Sequence, residues 1–185
     1  MHDDDGKPAA ANIQIWQPEI KFYEASGTMN PDPSVRNAIN ELLRQQKLGV
    51  LSTVGKEGAP HASLVAFAVS DDHQRLFFVT PRATRKYANL CANPKVALLI
   101  NNSINRPEDF NLATAVTATG TVEPLAGRER EAALNRYVSR HPYLETFARS
   151  PGCELLGIRV EGYILVQRFQ DITEYRVGPE MDHLP

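Results

Sequence analysis

The sequence predicts a mainly β fold, a six- to seven-stranded antiparallel barrel with flanking helices packed at its openings. Short runs with strand periodicity follow one another through polar turns, which is the pattern of strands connected as hairpins. Helical periodicity is confined to a few segments. Strands do not alternate regularly with helices and no GxGxxG motif is present, so a parallel doubly wound sheet is disfavoured. Together these observations favour the antiparallel barrel.

The length of 185 residues fits one domain with additional terminal segments. We expect an N-terminal arm over residues 1–30, the barrel domain over 31–177 and a C-terminal tail over 178–185. The arm is rich in Asp, Pro, Ala and Gly, which indicates flexibility. Some of its residues are too apolar for a solvated segment and are expected to pack on the domain or on a second subunit: Ile13, Ile15, Trp16, Ile20, Phe22 and Tyr23.

Composition and charge disfavour several classes of partner. The 20 basic and 22 acidic residues leave a net charge of -2, without the basic footprint of a nucleic-acid-binding protein. No run approaches the roughly 20 apolar residues of a membrane span, and the N-terminus lacks the hydrophobic region of a signal peptide. We therefore expect a cytoplasmic protein with no nucleic-acid or membrane partner. Cys91 and Cys153 belong to no CxxC motif, so neither a zinc site nor a disulfide framework is indicated.

The first half of the domain contains one helix and three strands in sequence. Asp32 is a candidate N-cap before a proline, and apolar residues then recur at helical spacing to about Gln46. The period changes to that of strands over residues 49–54 and 60–69, which the turn GKEG joins as a hairpin. A polar turn leads into a third strand over 75–80.

Further strands and one long loop follow in the middle of the chain. Residues 95–100 are an apolar strand after an Asn-Pro pair. Residues 101–111 are polar and contain a proline, so we expect a loop long enough to be functional. The β-branched run over 114–122 predicts another strand, in which Gly120 marks a bulge or a close backbone approach.

The last third of the domain returns to helical and then to strand periodicity. A helix is expected over residues 127–140, where a following proline ends it, and a shorter helical stretch over 143–148. Residues 154–160 and 163–169 are expected to form a last pair of strands around Glu161 and the glycine that follows it.

The strongest chemical signal lies between the third strand and the helix after it. Thr84 is suited to N-cap this helix, which places Arg85 and Lys86 in its first turn. Helices favour acidic residues there, because free N–H groups and the positive end of the dipole meet at the N-terminus. Two cations destabilise this end unless an anion lies among them. With Thr80 at the strand end, the pattern predicts a phosphate site, and the alternative is a solvated helix start.

Other candidate residues carry weaker signals. Small and apolar residues over 60–67 could let a flat ring approach the backbone, although an ordinary barrel strand shows the same pattern. His61 has only Glu57 as a nearby acidic residue, and no metal-binding pattern includes it. His141 and His183 are expected at the surface. Five arginines interspersed with glutamates are expected to form a solvated helix face: Arg128, Arg130, Arg136, Arg140 and Arg149.

Three runs of the sequence carry a resemblance to a known family. GVLSTVGKEGAPHASLVAF, LFFVTPRATRKYANLCANPKVALLI and TGTVEPL resemble the pyridoxamine 5′-phosphate oxidase-like, FMN-binding split-barrel superfamily, over about residues 33–125 and more loosely to about 175. The most specific part is the T-x-x-x-T-R-K segment with the Asn-Pro pair after it. The resemblance implies that Thr80, Thr84, Arg85 and Lys86 hold the FMN phosphate.

The resemblance also implies further flavin contacts and an assembly. The strand residues Ser63, Leu64, Val65 and Ala66 would lie along the isoalloxazine ring, and Val79 matches another flavin-contacting position. The family fold implies a homodimer with two FMN sites at the subunit interface. The loop 101–111 would then lie near the partner's flavin.

Departures from the family pattern limit what the resemblance implies about activity. Pyridoxamine phosphate oxidases proper carry an Arg and a Lys on the strand equivalent to 63–68, whereas no Arg or Lys occurs here between Lys56 and Arg75. Ala115 stands in place of a flavin-contacting Gln, and the C-terminal substrate signature is absent. The sequence therefore argues against vitamin B6 synthesis. It predicts an FMN-dependent oxidoreductase acting on an unidentified small molecule, with haem or deazaflavin as alternative cofactors. A haem-binding or haem-degrading protein and a non-catalytic flavin-binding module are the alternative functions.

Overall fold

The computed structural model describes residues 20–24, 33–168 and 171–177. The expectations for the tail, for most of the arm and for the Asp32 cap lie outside these residues. The same holds for His183 and for the side chains of Ile13, Ile15, Trp16, Ile20, Phe22 and Tyr23. In the described part, no helix has the length and apolarity that crossing a membrane requires.

The described chain forms eight strands and five α-helices. The strands are β1 Ile20–Glu24, β2 Leu48–Val54, β3 Pro60–Val69, β4 Arg75–Pro81, β5 Lys95–Asn101, β6 Thr114–Pro124, β7 Cys153–Gln167 and β8 Asp171–Arg176. The helices are α1 Pro33–Gln45, α2 Arg85–Ala92, α3 Asp109–Leu112, α4 Gly127–Arg140 and α5 Glu145–Ala148, with a 3₁₀ turn at Pro142–Leu144. The predicted loop over 101–111 thus contains the start of a short helix.

Six strands close into an antiparallel barrel, which confirms the predicted fold class. Their order is β7-β4-β3-β2-β5-β6, and β6 pairs back to β7. Outside the closed barrel, β8 pairs with the end of β7, and β1 pairs with β8 in parallel. The predicted hairpin of β2 and β3 is confirmed, and it places Leu51 opposite Ser63.

The prediction of two strands around Glu161 is wrong, because β7 runs through this point as one strand. Its first part, 153–159, pairs with β4, and its last part, 162–167, pairs with β8. β6 lies along both parts and joins them. A Cβ on Gly162 would lie 3.1 Å from the carbonyl oxygen of Tyr175, so this glycine marks the close approach of β8 and not a turn.

The predicted irregularity at Gly120 is confirmed. The pairing of β6 with β7 shifts register between Thr119 and Gly120, which places Glu161 as an extra residue on β7. A Cβ on Gly120 would lie 2.2 Å from the carbonyl oxygen of Arg159. The closing seam of the barrel therefore needs a glycine at this position.

Apolar residues fill the barrel and also cover part of its outer surface. The interior contains large buried side chains that include Phe67, Phe78 and Ile158. A second cluster joins the outer face of β3 and β4 to Leu134 and Tyr137 of α4. Because α4 covers that face, β4 is buried on both sides and its sequence is almost continuously apolar.

The expectation of a solvated arginine face is wrong for two residues of α4. Arg140 donates from Nη2 to the carbonyl oxygens of Leu43 (2.6 Å) and Gln46 (2.5 Å), at the C-terminal end of α1. Helix ends leave carbonyl groups without intrahelical donors, and a guanidinium satisfies them. Arg136 forms a two-point ion pair with Asp71, with both N–O distances at 2.6 Å.

The expectation that His141 lies at the surface is also wrong. Its side chain is only 7% exposed, and Nε2 lies 2.7 Å from the carbonyl oxygen of Phe67. Since a carbonyl only accepts, Nε2 is the donor. Burial lowers the pKa of His141, which favours the neutral ring. This histidine connects α4 to the barrel wall.

Candidate functional site

The turn between β4 and α2 is held by two threonine hydroxyls. Thr84 is the N-cap that the sequence predicts: its Oγ1 accepts from the N–H of Tyr87 (3.4 Å) and donates to the carbonyl oxygen of Pro81 (2.8 Å). The Oγ1 of Thr80, which is fully buried, lies 3.1 Å from that of Thr84. Both hydroxyls are therefore used within the turn, and they fix the direction in which α2 begins.

Two cations at the start of α2 remain available for an anion. Arg85 is exposed and Lys86 is half-buried, and neither forms an ion pair within the described residues. Arg82 differs, because its Nε donates to Glu154 (2.9 Å) and its Nη1 to the carbonyl oxygen of Pro151 (3.0 Å). The hydrogen bond to Glu154 raises the pKa of Arg82. The amides of Arg85 and Lys86 in the first turn of α2 have no acceptor in the described chain, whereas that of Tyr87 donates to Thr84, so the region offers neutral and charged donors together.

A hollow of about 310 Å³ lies beside this helix start. Its walls come from α2 and from the hairpin between β2 and β3, and they include Lys56, Glu57, His61, Arg85 and Asn89. Lys56 and His61 were not among the residues predicted to lie beside Arg85. Sequence spacing carries no signal for this grouping, because two strands and a turn separate the hairpin from α2.

A buried chain of hydrogen bonds attaches α2 to the same hairpin. Asn89 Nδ2 donates to Thr53 Oγ1 (3.0 Å), and Thr53 Oγ1 donates to the carbonyl oxygen of His61 (3.3 Å). Asn89 is 9% exposed and Thr53 is 1% exposed. Asn89 lies one helical turn after Arg85, so this chain fixes the position of the helix that carries the two cations. Neither residue belongs to a sequence pattern that indicates a site.

The first part of β3 borders an opening in the barrel wall. β3 pairs with β2 over residues 60–66 but with β4 only over residues 67–69. In the described part of the chain, residues 60–66 have no strand partner on the side of β4. The edge of β3 is therefore open beside the turn that carries Thr80 and Thr84.

Side chains of the predicted ring-contacting segment alternate between the two faces of β3. Val65 is buried in the barrel core, and Ala66 packs towards the α4 cluster on the opposite face. Leu64 points outwards and is 63% exposed. Ser63 Oγ is buried and has no hydrogen-bond partner within the described chain. Ser63 is thus a donor that the protein does not use internally.

The structure brings four of the predicted site residues together at one turn and places the others around it. Thr80, Thr84, Arg85 and Lys86 form the turn and the helix start, and the segment 63–66 lies on the neighbouring strand. Val79 is 5% exposed and packs in the α4 cluster, on the face of β4 opposite to Thr80.

Close to this opening, the outer surface of the barrel carries an apolar face. Val50 lies between Leu64 on β3 and Leu99 on β5, and Leu48 extends the same row of β2. Leu48, Leu64 and Leu99 are 52%, 63% and 37% exposed. We call Leu48, Val50, Leu64 and Leu99 the open apolar face.

A larger cleft of about 1050 Å³ lies between α1 and α4. Its lining is polar and includes Asn40, Glu41, Arg136 and Arg140. Of its three arginines, Arg136 is engaged by Asp71 and Arg140 by carbonyl groups of α1, and Arg44 is the third. Among the described residues, the cleft therefore offers less free positive charge than the region around α2.

Comparisons with known proteins identify related sequences and folds. The family model described as "Pyridoxamine 5'-phosphate oxidase" matches residues 35–167. The "5a,11a-dehydrotetracycline/5a,11a-dehydrooxytetracycline reductase" of Streptomyces rimosus is 33% identical over 91 residues, which cover 48% of this chain and 63% of the reductase. The match thus spans less than two thirds of that relative.

Two solved structures share the fold. A heme binding protein from Mycobacterium smegmatis superposes with a TM-score of 0.71 and 18% identity, covering 80% of this chain and 60% of the other. A protein related to general stress protein 26 (pyridoxinephosphate oxidase family) from Clostridium acetobutylicum superposes with a TM-score of 0.62 and 19% identity, covering 80% and 97%. At these identities, the likeness concerns the fold alone.

Proposed function

Because this chain belongs to the pyridoxamine 5'-phosphate oxidase family, we propose that it is a flavoprotein that binds FMN noncovalently and transfers hydride to or from a small organic substrate. The observation that carries this proposal is the start of α2, where Arg85 and Lys86 remain unpaired in the described chain beside the open edge of β3. The curated relative is named a reductase, which supports the oxidoreductase class.

The donors around α2 match the chemistry of a phosphate group. Arg85 and Lys86 neutralise its charge, and the first-turn amides of α2 add neutral hydrogen bonds. Thr80 and Thr84 hold the turn through their own hydrogen bonds. Direct donation from these two hydroxyls to the phosphate stays a prediction, because Thr84 would have to release Pro81.

The open edge of β3 suits the planar ring of a flavin. Residues 63–66 offer backbone without a strand partner on one side, and Ser63 offers an unused hydroxyl. Bound FMN would supply the hydride chemistry at its ring, while the protein orients the ring and shapes the substrate pocket. Val79 is buried in the α4 cluster, on the neighbouring strand β4. We propose that its packing there helps to fix the position of the flavin ring.

The visible spectrum of the purified protein tests the proposed function. We expect a flavin spectrum that is bleached by a reduced nicotinamide or another hydride donor and restored by an acceptor. A Soret band would instead indicate a haem protein. A flavin spectrum that no donor bleaches would indicate a binding module without catalysis. Titration of the apoprotein with FMN and with a deazaflavin distinguishes these two cofactors.

We further propose that the open apolar face is covered by a second copy of this chain. Exposed leucines in one contiguous row are unusual on a monomer and favour a subunit interface. The segment 101–113 also presents Ile104, Phe110 and Leu112, each more than 60% exposed. In the homodimer, this segment would approach the partner's flavin.

Leu99→Glu is expected to convert the dimer into a monomer, because it places a charge in the apolar interface. Sedimentation equilibrium measures the mass directly. Tyr143→Glu is the matched control, since Tyr143 is 100% exposed on the 3₁₀ turn after α4 and the variant should remain dimeric. A monomeric parent protein, or a dimer that survives Leu99→Glu, would contradict the proposed interface.

A further inference from the structure

The hollow beside α2 gathers charged groups from two separate elements. Lys56 and Glu57 lie in the turn between β2 and β3, His61 lies near the start of β3, and Arg85 begins α2. The hollow has a volume of about 310 Å³, which is enough for a phosphate group and its first waters. Lys86 does not line it.

The cationic side chains that line the hollow form no ion pairs in the described chain. In the described part of the chain, Lys56 and Arg85 form no ion pair with Glu57 or with any other carboxylate. Elsewhere on the surface, Arg159 contacts Glu123 (2.8 Å) and Lys95 contacts Glu161 (2.9 Å). The hollow thus holds two permanent cations against one carboxylate, together with an imidazole that can donate an N–H when neutral or charged.

The two walls of the hollow are held at a fixed separation. Thr53 donates to the carbonyl oxygen of His61 on the hairpin side, and Asn89 of α2 donates to Thr53. Both side chains are buried, so this connection is shielded from water. A ligand entering the hollow therefore meets two walls whose separation is already set, which reduces the entropy lost on binding.

We infer that Lys56 and His61 bind the phosphate group together with Arg85, and that Glu57 opposes this binding. The inference rests on the proposed function, since it assigns the hollow to the phosphate of FMN. A phosphate has several strong acceptor oxygens, and Arg85 is the one residue of the predicted group Thr80, Thr84, Arg85 and Lys86 that lines the hollow. The hydroxyls of Thr80 and Thr84 are engaged in the turn. The side chains of Lys56 and His61 have no hydrogen-bond partner in the described chain, and both residues line the hollow.

Titration of the apoprotein with FMN and with riboflavin tests this assignment, because riboflavin has the same ring and lacks the phosphate. We expect Lys56→Gln and His61→Ala each to weaken FMN binding about tenfold, which corresponds to the loss of one charge-assisted hydrogen bond. Glu57→Gln should strengthen FMN binding severalfold. Riboflavin affinity should remain unchanged in all three variants.

Arg128→Gln is the matched control, because Arg128 is an exposed cation on α4, outside the hollow, and its removal should leave FMN affinity unchanged. Thermal unfolding of each variant shows whether the fold is intact. Unchanged FMN affinity in Lys56→Gln and His61→Ala, or equal weakening of FMN and riboflavin, would overturn the assignment and leave the proposed function standing. A parent protein that binds neither flavin would overturn both.

Discussion

Arg85→Ala is expected to lower the affinity for FMN by about 10- to 100-fold and to leave the affinity for riboflavin unchanged. Arg85 is exposed and has no ion-pair partner in the described chain, so its removal leaves no buried group unsatisfied. The expected loss is that of a hydrogen-bonded ion pair with phosphate, about 1.5–3 kcal/mol, and 1.4 kcal/mol corresponds to a factor of ten. Fluorescence titration of the apoprotein with each flavin measures both affinities.

Arg82→Ala is the control for this prediction, since it removes a nearby arginine of the same turn. Arg82 is held by Glu154 and by the carbonyl oxygen of Pro151, and it is therefore not expected to reach the phosphate. FMN affinity should change by less than about threefold in this variant, because only an exposed ion pair is lost. If Arg82→Ala weakened FMN as much as Arg85→Ala does, the effect would come from general surface charge and not from a site at α2.

Gly120→Ala is expected to lower the free energy of unfolding by about 2–4 kcal/mol. The added Cβ would lie 2.2 Å from the carbonyl oxygen of Arg159, and a backbone atom in a paired strand cannot move away cheaply. The position lies in the β6–β7 seam that closes the barrel, at the point where the register shifts. Chemical denaturation monitored by far-ultraviolet circular dichroism measures the free energy of unfolding.

Gly152→Ala provides the comparison for Gly120→Ala. A Cβ on Gly152 would meet only the side-chain oxygen of Ser150, at 4.0 Å, so this substitution should change the stability by less than about 0.5 kcal/mol. Equal stabilities of the two variants would show that the seam can rearrange to accept a side chain at position 120.

The C-terminal end of α1 and the N-terminal end of α2 differ in how nearby charges complement the helix dipole. At the C-terminal end of α1, the guanidinium of Arg140 supplies donors to free carbonyl groups. At the N-terminal end of α2, Arg85 and Lys86 add positive charge where the dipole is already positive. The first arrangement is complete within the chain, whereas we propose that a bound anion stabilises the second. This contrast supports the assignment of α2 to ligand binding.

The likeness to a heme binding protein extends to the fold and not to a described iron ligand. His141 is a buried histidine at the C-terminal end of α4. Its Nε2 donates to the carbonyl oxygen of Phe67, and its ring is buried. Coordination of iron by this nitrogen would require the loss of that hydrogen bond. This hydrogen bond and the burial of the ring argue against His141 Nε2 as an iron ligand.

The sequence by itself determined the barrel strands β2 to β6, the helices α1, α2 and α4, the Thr84 cap and the irregularity at Gly120. These features depend on local patterns: the period of apolar residues, the preference of hydroxyl side chains for N-caps, and the tolerance of glycine for close backbone contact. The cluster of Thr80, Thr84, Arg85 and Lys86 could be predicted for the same reason, since all four lie on one short segment.

Only the tertiary structure decided how distant segments meet. The single strand β7, the binding of Arg140 to α1 and the burial of His141 depend on which elements pair, and local periodicity does not encode that choice. The hollow that joins Lys56 and His61 to Arg85 arises because the hairpin and α2 pack at the same end of the barrel, where Asn89 and Thr53 fix them. The sequence shows which chemical groups each segment carries. Which of these groups line the same site depends on how the strands and helices pack together.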